Sequence, residues 1–289
     1  MDLVHRLIRF ARKSPREQWR SVCYHLAETD WYWKVHSPGK DRTAYIVGLF
    51  GTGRWYINEL ILQNFPERAR YFREENQAKI HIDSGPTSMI HSCHATMKYA
   101  SRGQKPPAVT SRILETVRLG FADLIFIYRH PLDSLLSNWL WWRTLARDHI
   151  MVFASQLYKN TDEMCAVLEE NFIEFRAFAD GDPRFFPDPK GGRFLSFPEF
   201  VEETELFLQA ATLALRLEDF ISDPVKEFSK IARLMSVDLD VNGLHVPPPK
   251  TKPYRFLAVQ EKVPRFRAFV NGLDTETRRR VEKIGYALK

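Results

Sequence analysis

Apolar and polar positions along the chain change period several times, and each change marks an element. Ala44 to Leu49 is a short apolar run bounded by glycine, the pattern of a strand buried in a parallel sheet. From Tyr56 to Asn64 the spacing is helical, and Pro66 stops it. A second stretch, "SMIHSCHATMKY" at 88–99, alternates apolar and polar positions after the loop "DSGPT" and predicts a further strand. A helical segment follows from Thr110 to Leu119. The clearest strand is "DLIFIY", Asp123 to Tyr128, which runs directly into "RHPLDSLLSNWLWW". There Pro131 suits the first turn of a helix, where its missing N–H is not needed.

Beyond this point the pattern predicts a long helical region over roughly 148–179, a Pro/Gly-rich loop at 180–192 and a helix from "FPEFVEE". "ATLALRLEDF", 211–220, reads as a strand with an acidic end. "DPVKEFSKIARLM" reads as a helix capped by Asp223 with Pro224 in its first turn. Strands alternating with helices predict an α/β fold, a central parallel sheet with helices on both faces. No Pro/Gly/Ser-rich linker divides the 289 residues, so a single domain over 1–289 is expected, with 1–40 as a helical, aromatic-rich arm ending in "SPGKD".

Composition narrows the class. A formal net charge of +6 suits an acidic partner such as a nucleotide, an anionic glycan or a membrane surface. Cys23, Cys93 and Cys165 are far apart and have no metal or disulfide spacing, which suits reduced thiols. The first residues lack the apolar core of a secretory signal, and no long apolar run exists to span a membrane, so a cytoplasmic protein is expected. Leu3, Val4, Leu7, Ile8 and Ala11 recur at helical spacing among His5, Arg6, Arg9, Arg12 and Lys13. Such a basic amphipathic helix suits peripheral contact with an anionic membrane and equally suits a cover over its own domain.

Candidate chemistry begins in "GLFGTGRW". Backbone N–H groups at a strand-to-helix turn, aided by the helix dipole, make an anion site, and glycine lets the backbone approach closely. Gly48, Gly51 and Gly53 fit that need. A kinase-type loop would follow with Lys and Ser or Thr to hold terminal phosphates and magnesium, but Arg54 and Trp55 stand there. The loop therefore suits a phosphate held without metal, with Thr52 and the backbone donating, Arg54 adding charge and Trp55 offering a ring to a base. Arg129 falls at the carboxyl end of a strand, where open α/β sheets bind ligands, and Ser137 lies about two helical turns on. A guanidinium fork and a hydroxyl make a clamp for a phosphate monoester. Alternatively Arg129 simply pairs with Asp133.

Arg129-His130-Pro131-Leu132-Asp133 followed by Ser137 resembles the 3′-phosphate-binding motif of sulfotransferases that use 3′-phosphoadenosine 5′-phosphosulfate. The glycine loop ending in Trp55 resembles that family's 5′-phosphosulfate loop, and "LRLEDFISDPVKEFSKIARLMSV", 215–237, its acidic strand–helix. The ending "IGYALK" is similar to bacterial members. The resemblance implies a P-loop-like three-layer α/β fold. It also implies metal-independent in-line transfer of a sulfuryl group to an acceptor hydroxyl, leaving adenosine 3′,5′-bisphosphate. Gly51, Thr52, Gly53 and Arg54 would cradle the 5′-phosphosulfate, Trp55 would stack on adenine, and Arg129 and Ser137 would hold the 3′-phosphate. Phe50 departs from the family, standing where it has a loop Lys, and Arg54 is the nearest replacement cation. For the general base on the acceptor the candidates are His94, with His91 on the same strand, and His81 in "AKIHID". Trp139, Trp141 and Trp142 suit either a stacked acceptor or a buried helix face. A small-molecule or glycan acceptor is expected, with no nucleic-acid partner. The alternatives are a nucleotide-binding protein of the same fold that has lost catalysis, or a kinase-type phosphotransferase.

Overall fold

A computed structural model describes residues 43–49, 51–64, 90–94, 97–99, 114, 117–118, 120, 122–148, 160–185, 192–234, 238–246 and 254–288. The expected 1–40 arm, Phe50 and His81 lie outside these residues. Strand β1 (Thr43–Gly48) leads through the glycine loop into α1 (Arg54–Asn64). β2 (Ile90–His94), β3 (Met97–Tyr99) and β4 (Ala122–Tyr128) follow, and β4 passes into the long α2 (Pro131–Asp148). Next come α3 (Thr161–Glu170), α4 (Phe172–Ala179), β5 (Gly192–Phe194), α5 (Phe197–Ala210) and β6 (Leu213–Arg216). The described chain finishes with α6 (Leu217–Ser222), α7 (Pro224–Leu234), α8 (Arg255–Lys262), α9 (Pro264–Asn271) and α10 (Thr275–Lys283).

The central sheet has the order β2-β1-β4-β6 and is parallel throughout. Successive side chains of a strand point to opposite faces, and both faces here are apolar. Ile46, Ile125, Ile127 and Leu215 pack under Ile57, Leu60 and Ile61 of α1 and Phe220, Phe228 and Ile231 of α6 and α7. Val47, Leu124 and Phe126 face the other way, onto Phe200 and Phe207 of α5. This is the P-loop-like three-layer α/β fold expected from the sequence. A further cluster joins α2–α5 to α8–α10 through Trp139, Phe175, Phe178, Phe197, Phe266 and Phe269. Each such fully buried ring contributes ~1.5–3 kcal/mol relative to exposure. Among the described residues no helix is long and apolar enough to cross a membrane.

Several boundaries differ from the sequence pattern. The strand expected over 211–220 ends at Arg216, and "LEDFIS" turns helical as α6. Leu217 and Phe220, spaced by one helical turn, both enter the core that way. Of the helical region expected over 148–179, 149–159 lie outside the described residues, and the rest is divided at Asn171, whose side-chain amide donates to the Val167 carbonyl at 2.8 Å. The single strand expected in 88–99 is two: β2 joins the central sheet, while β3 pairs antiparallel with β5. The 180–192 loop contains a short 3-10 turn at Pro183–Phe185, and β5 begins at its last residue. The start of α7 is as expected, with the Lys226 N–H donating to Asp223 Oδ1 at 3.1 Å and Pro224 as first helical residue.

Candidate functional site

Register places three chain segments at one edge of the sheet. Gly48, the last residue of β1, is level with His94 at the end of β2 and with Ile127 near the end of β4. The glycine loop, His94 and Arg129 therefore gather at the carboxyl edge, where open α/β sheets take ligands. His91 lies deeper in the sheet, level with Tyr45.

The loop's backbone needs glycine. Gly51 (φ +76°) and Gly53 (φ +81°) both adopt the left-handed region. Each is also crowded. A Cβ on Gly51 would lie 2.7 Å from both Asn138 Oδ1 and the Ser134 carbonyl, and one on Gly53 would lie 2.7 Å from a Leu217 methyl. The loop is thus clamped between α2 and α6. Thr52 is buried, and its hydroxyl donates to the Leu49 carbonyl at 2.6 Å, closing the turn. Arg54 and Trp55 open α1; their side chains lie outside the described part.

Arg129 sits between β4 and α2 and is 3% exposed. Its Nη1 donates to the Gly51 carbonyl at 3.0 Å and to Ser137 Oγ at 3.2 Å. Arg129 also pairs with Asp133, Nη2 to Oδ2 at 3.3 Å, as the plainer reading of the sequence has it. That pair leaves capacity unused. Arg129 Nε, Asp133 Oδ2 and Ser134 Oγ are buried with no hydrogen-bond partner. A buried polar atom without a partner costs ~1–3 kcal/mol; of these three, Arg129 Nε and Ser134 Oγ can donate to an anion, whereas Asp133 Oδ2 can only accept.

The neighbouring His130 is held from every side. Its Nδ1 accepts from the Leu132 N–H at 3.2 Å, which fixes the proton on Nε2, and Nε2 donates to the Ala287 carbonyl at 3.0 Å. Its ring stacks on Phe256 at 3.7 Å. Burial pushes its pKa down to about 4, so the imidazole is neutral near pH 7. With both nitrogens engaged, His130 has no free position for acid–base work on a ligand.

Two contributions escaped sequence reasoning. Glu218, 6% exposed, accepts from the His130 N–H at 2.9 Å and from the Tyr286 hydroxyl at 2.9 Å. Arg255, at the start of α8, has its pKa lowered by burial and then by the positive charge of Arg129, so two guanidiniums share one region. Tyr254 just before it has φ +56°, a strained conformation for a non-glycine residue that costs ~1–3 kcal/mol. No sequence signal marks Arg255; its place follows from its neighbour, since the Phe256 N–H donates to Asp133 Oδ1 at 2.9 Å, across 123 residues. Trp139 is fully buried and bonds Glu174, while Trp141 and Trp142 pack partly buried against the same cluster, so these rings are a helix face in the core.

The predicted residues Gly51, Thr52, Gly53, Arg129 and Ser137 thus come together, His94 lies at the same edge, and His81 lies outside the described residues. Chemically, the arrangement offers backbone at a helix N-terminus, a buried guanidinium with donor capacity left, and a hydroxyl beside it.

No protein-family model matches the chain. No curated protein matches it. Among solved structures it is similar to mouse sulfotransferase SULT7A1 complexed with PAP, at TM-score 0.42 and 14% identity, covering 85% of this chain and 84% of that one.

Proposed function

We propose that the chain is a sulfotransferase that moves a sulfuryl group from 3′-phosphoadenosine 5′-phosphosulfate to a hydroxyl of a carbohydrate or glycolipid acceptor. One observation carries the reading. A buried arginine at the carboxyl end of β4 bonds the glycine loop and Ser137 yet keeps Nε without a partner. An anion of phosphate shape supplies what that group lacks, and a turn through two left-handed glycines into a helix start suits a second anion.

In this reading Arg129 and Ser137 hold the 3′-phosphate, with Arg255 adding charge. The loop Gly51–Thr52–Gly53 with Arg54 cradles the 5′-phosphosulfate, and Trp55 stacks on adenine. Because the Thr52 hydroxyl and main-chain N–H both already donate to the Leu49 carbonyl, donation to the ligand falls to the neighbouring residues of the loop. The donor supplies the sulfuryl group and a bisphosphate leaving group. His94 takes the proton of the acceptor hydroxyl as its oxygen bonds to sulfur and the sulfur–oxygen bond to the phosphate breaks. Arg54 offsets the charge left on that oxygen.

The test is calorimetry with adenosine 3′,5′-bisphosphate, followed by transfer from labelled donor to a panel of glycan and glycolipid acceptors. Saturable one-to-one binding without added magnesium, with label on an acceptor, is expected. Magnesium-dependent ATP turnover in its place would return the kinase-type alternative. Binding with no transfer to any acceptor would favour a protein that kept the fold and lost catalysis.

A further inference from the structure

We propose that the segment after α10, through Tyr286 and Ala287, is a clasp that positions both Arg129 and Arg255 and so sets the preference for a 3′-phosphorylated nucleotide. The proposal rests on the reading of Arg129 as a phosphate-binding group. Neither clasp residue needs to touch the ligand; both act through others.

The clasp grips the turn that carries Arg129. The carbonyl of Ala287 takes His130 Nε2, and the Tyr286 hydroxyl donates to Glu218, whose other oxygen holds the His130 backbone N–H. Main chain and ring of the residue after Arg129 are thus fixed by the same few atoms. The Tyr286 ring also packs edge-on against His130, with centroids 4.9 Å apart. Burial and the adjacent Glu218 carboxylate push the Tyr286 pKa up, so the phenol keeps its proton and remains a donor to an acceptor-only partner.

The same residue grips the segment that carries Arg255. Arg216 lies over the Tyr286 ring with its guanidinium carbon 4.3 Å from the centroid, and its Nη2 donates to the Tyr254 hydroxyl at 2.9 Å. Tyr254 is the left-handed residue immediately before Arg255. A backbone conformation of that kind persists where surrounding contacts over-determine it. Tyr286 and Glu218, both buried, and the half-buried Arg216 therefore form one junction from which two arms lead, one to each arginine of the anion site.

The test compares wild type with Tyr286→Phe, which removes only the hydroxyl, and Glu218→Gln, which keeps shape while weakening acceptance. Calorimetric Kd values are measured for adenosine 3′,5′-bisphosphate and adenosine 5′-monophosphate, and hydrogen exchange is followed in a peptide spanning Arg129 to Leu136. The preference for the bisphosphate is expected to fall about tenfold with the monophosphate Kd unchanged, as one charge-assisted contact is loosened. Exchange at the His130 and Leu132 amides should quicken. Val281→Ala, in the buried face of α10, serves as control: it should lower the melting temperature without moving the ratio of the two Kd values. Equal weakening of both nucleotides in Tyr286→Phe, or an unchanged ratio, overturns the proposal. A wild-type protein that does not distinguish the two nucleotides defeats the 3′-phosphate reading itself. Exchange then decides the clasp alone, and unchanged protection refutes it.

Discussion

Two buried arginines stand toward opposite ends of α2, Arg129 just before its start and Arg143 within its later turns, and they are treated differently. Arg143 donates to Glu174 at 2.9 Å, lies 5.8 Å from the Trp139 ring centroid, and shares its carboxylate oxygen with the Trp139 N–H. Its partner is partly exposed, so the charge pair keeps some contact with water. Arg129 is buried to the same degree but faces a carboxylate at 3.3 Å without a hydrogen bond, and its Nε has no partner. The first arrangement is finished and the second is not. Equal burial of a charged residue says little about its role; how far its donors are satisfied says more.

Arg129→Lys is the sharpest way to break the comparison. It keeps the charge and loses the fork, so about two charge-assisted hydrogen bonds to a phosphate, each worth roughly 1.5–3 kcal/mol, are at stake. The Kd for adenosine 3′,5′-bisphosphate should rise by about a hundredfold or more while the melting temperature moves little. An Arg129→Lys protein that binds normally would put Arg129 in the same class as Arg143.

Next in size is the share of the acid limb of stability that His130, on the Arg129 side, contributes. His130 has a folded pKa of about 4 against an ordinary 6.5. Between those values the unfolded chain binds the proton and the folded one does not, so stability is fully present above pH 6.5 and falls as pH drops toward 4. The loss is about 3 kcal/mol over that window. His130→Gln should flatten this limb in urea titrations at pH 7, 5.5 and 4.5; an unchanged slope would show that His130 is not its source.

Arg143→Met gives the smallest effect. Glu174 can rehydrate and the apolar chain fills much of the space, so about 1–2 kcal/mol of stability should be lost by denaturant unfolding. Nucleotide binding should be untouched. A change in Kd comparable to that of Arg129→Lys would remove the distinction between the two ends of α2.

Much of the Arg129 end was readable in the sequence because its signals are local. An apolar run, glycines at a turn and Pro131 at a helix start each act within a few residues. The two-sided sheet followed for the same reason. Elements placed by distant contacts were not readable. "LEDFIS" has a strand's apolar content, yet Leu217 is needed against Gly53 and Phe220 against Phe228, which only a helical turn satisfies. Glu218 reads as an acidic strand end until its two partners, His130 and Tyr286, are seen on either side of it. Arg255 carries no motif at all. It joins the site because α8 docks the Phe256 amide on Asp133. The tryptophans of α2 illustrate the opposite case, where composition alone favoured the core and the core is where they are.

The hydrogen bond from Arg129 to the Gly51 carbonyl joins the turn after β4 to the loop after β1. Those two segments would each hold one end of a bisphosphate, and the bond keeps them at a set separation. On the proposed reading the protein would act as a gauge of length, discriminating among ligands by the spacing of their negative groups before any base or sugar is read. Nucleotides whose phosphates are chained together at one end would not span it, whereas those phosphorylated at both ends of the ribose would.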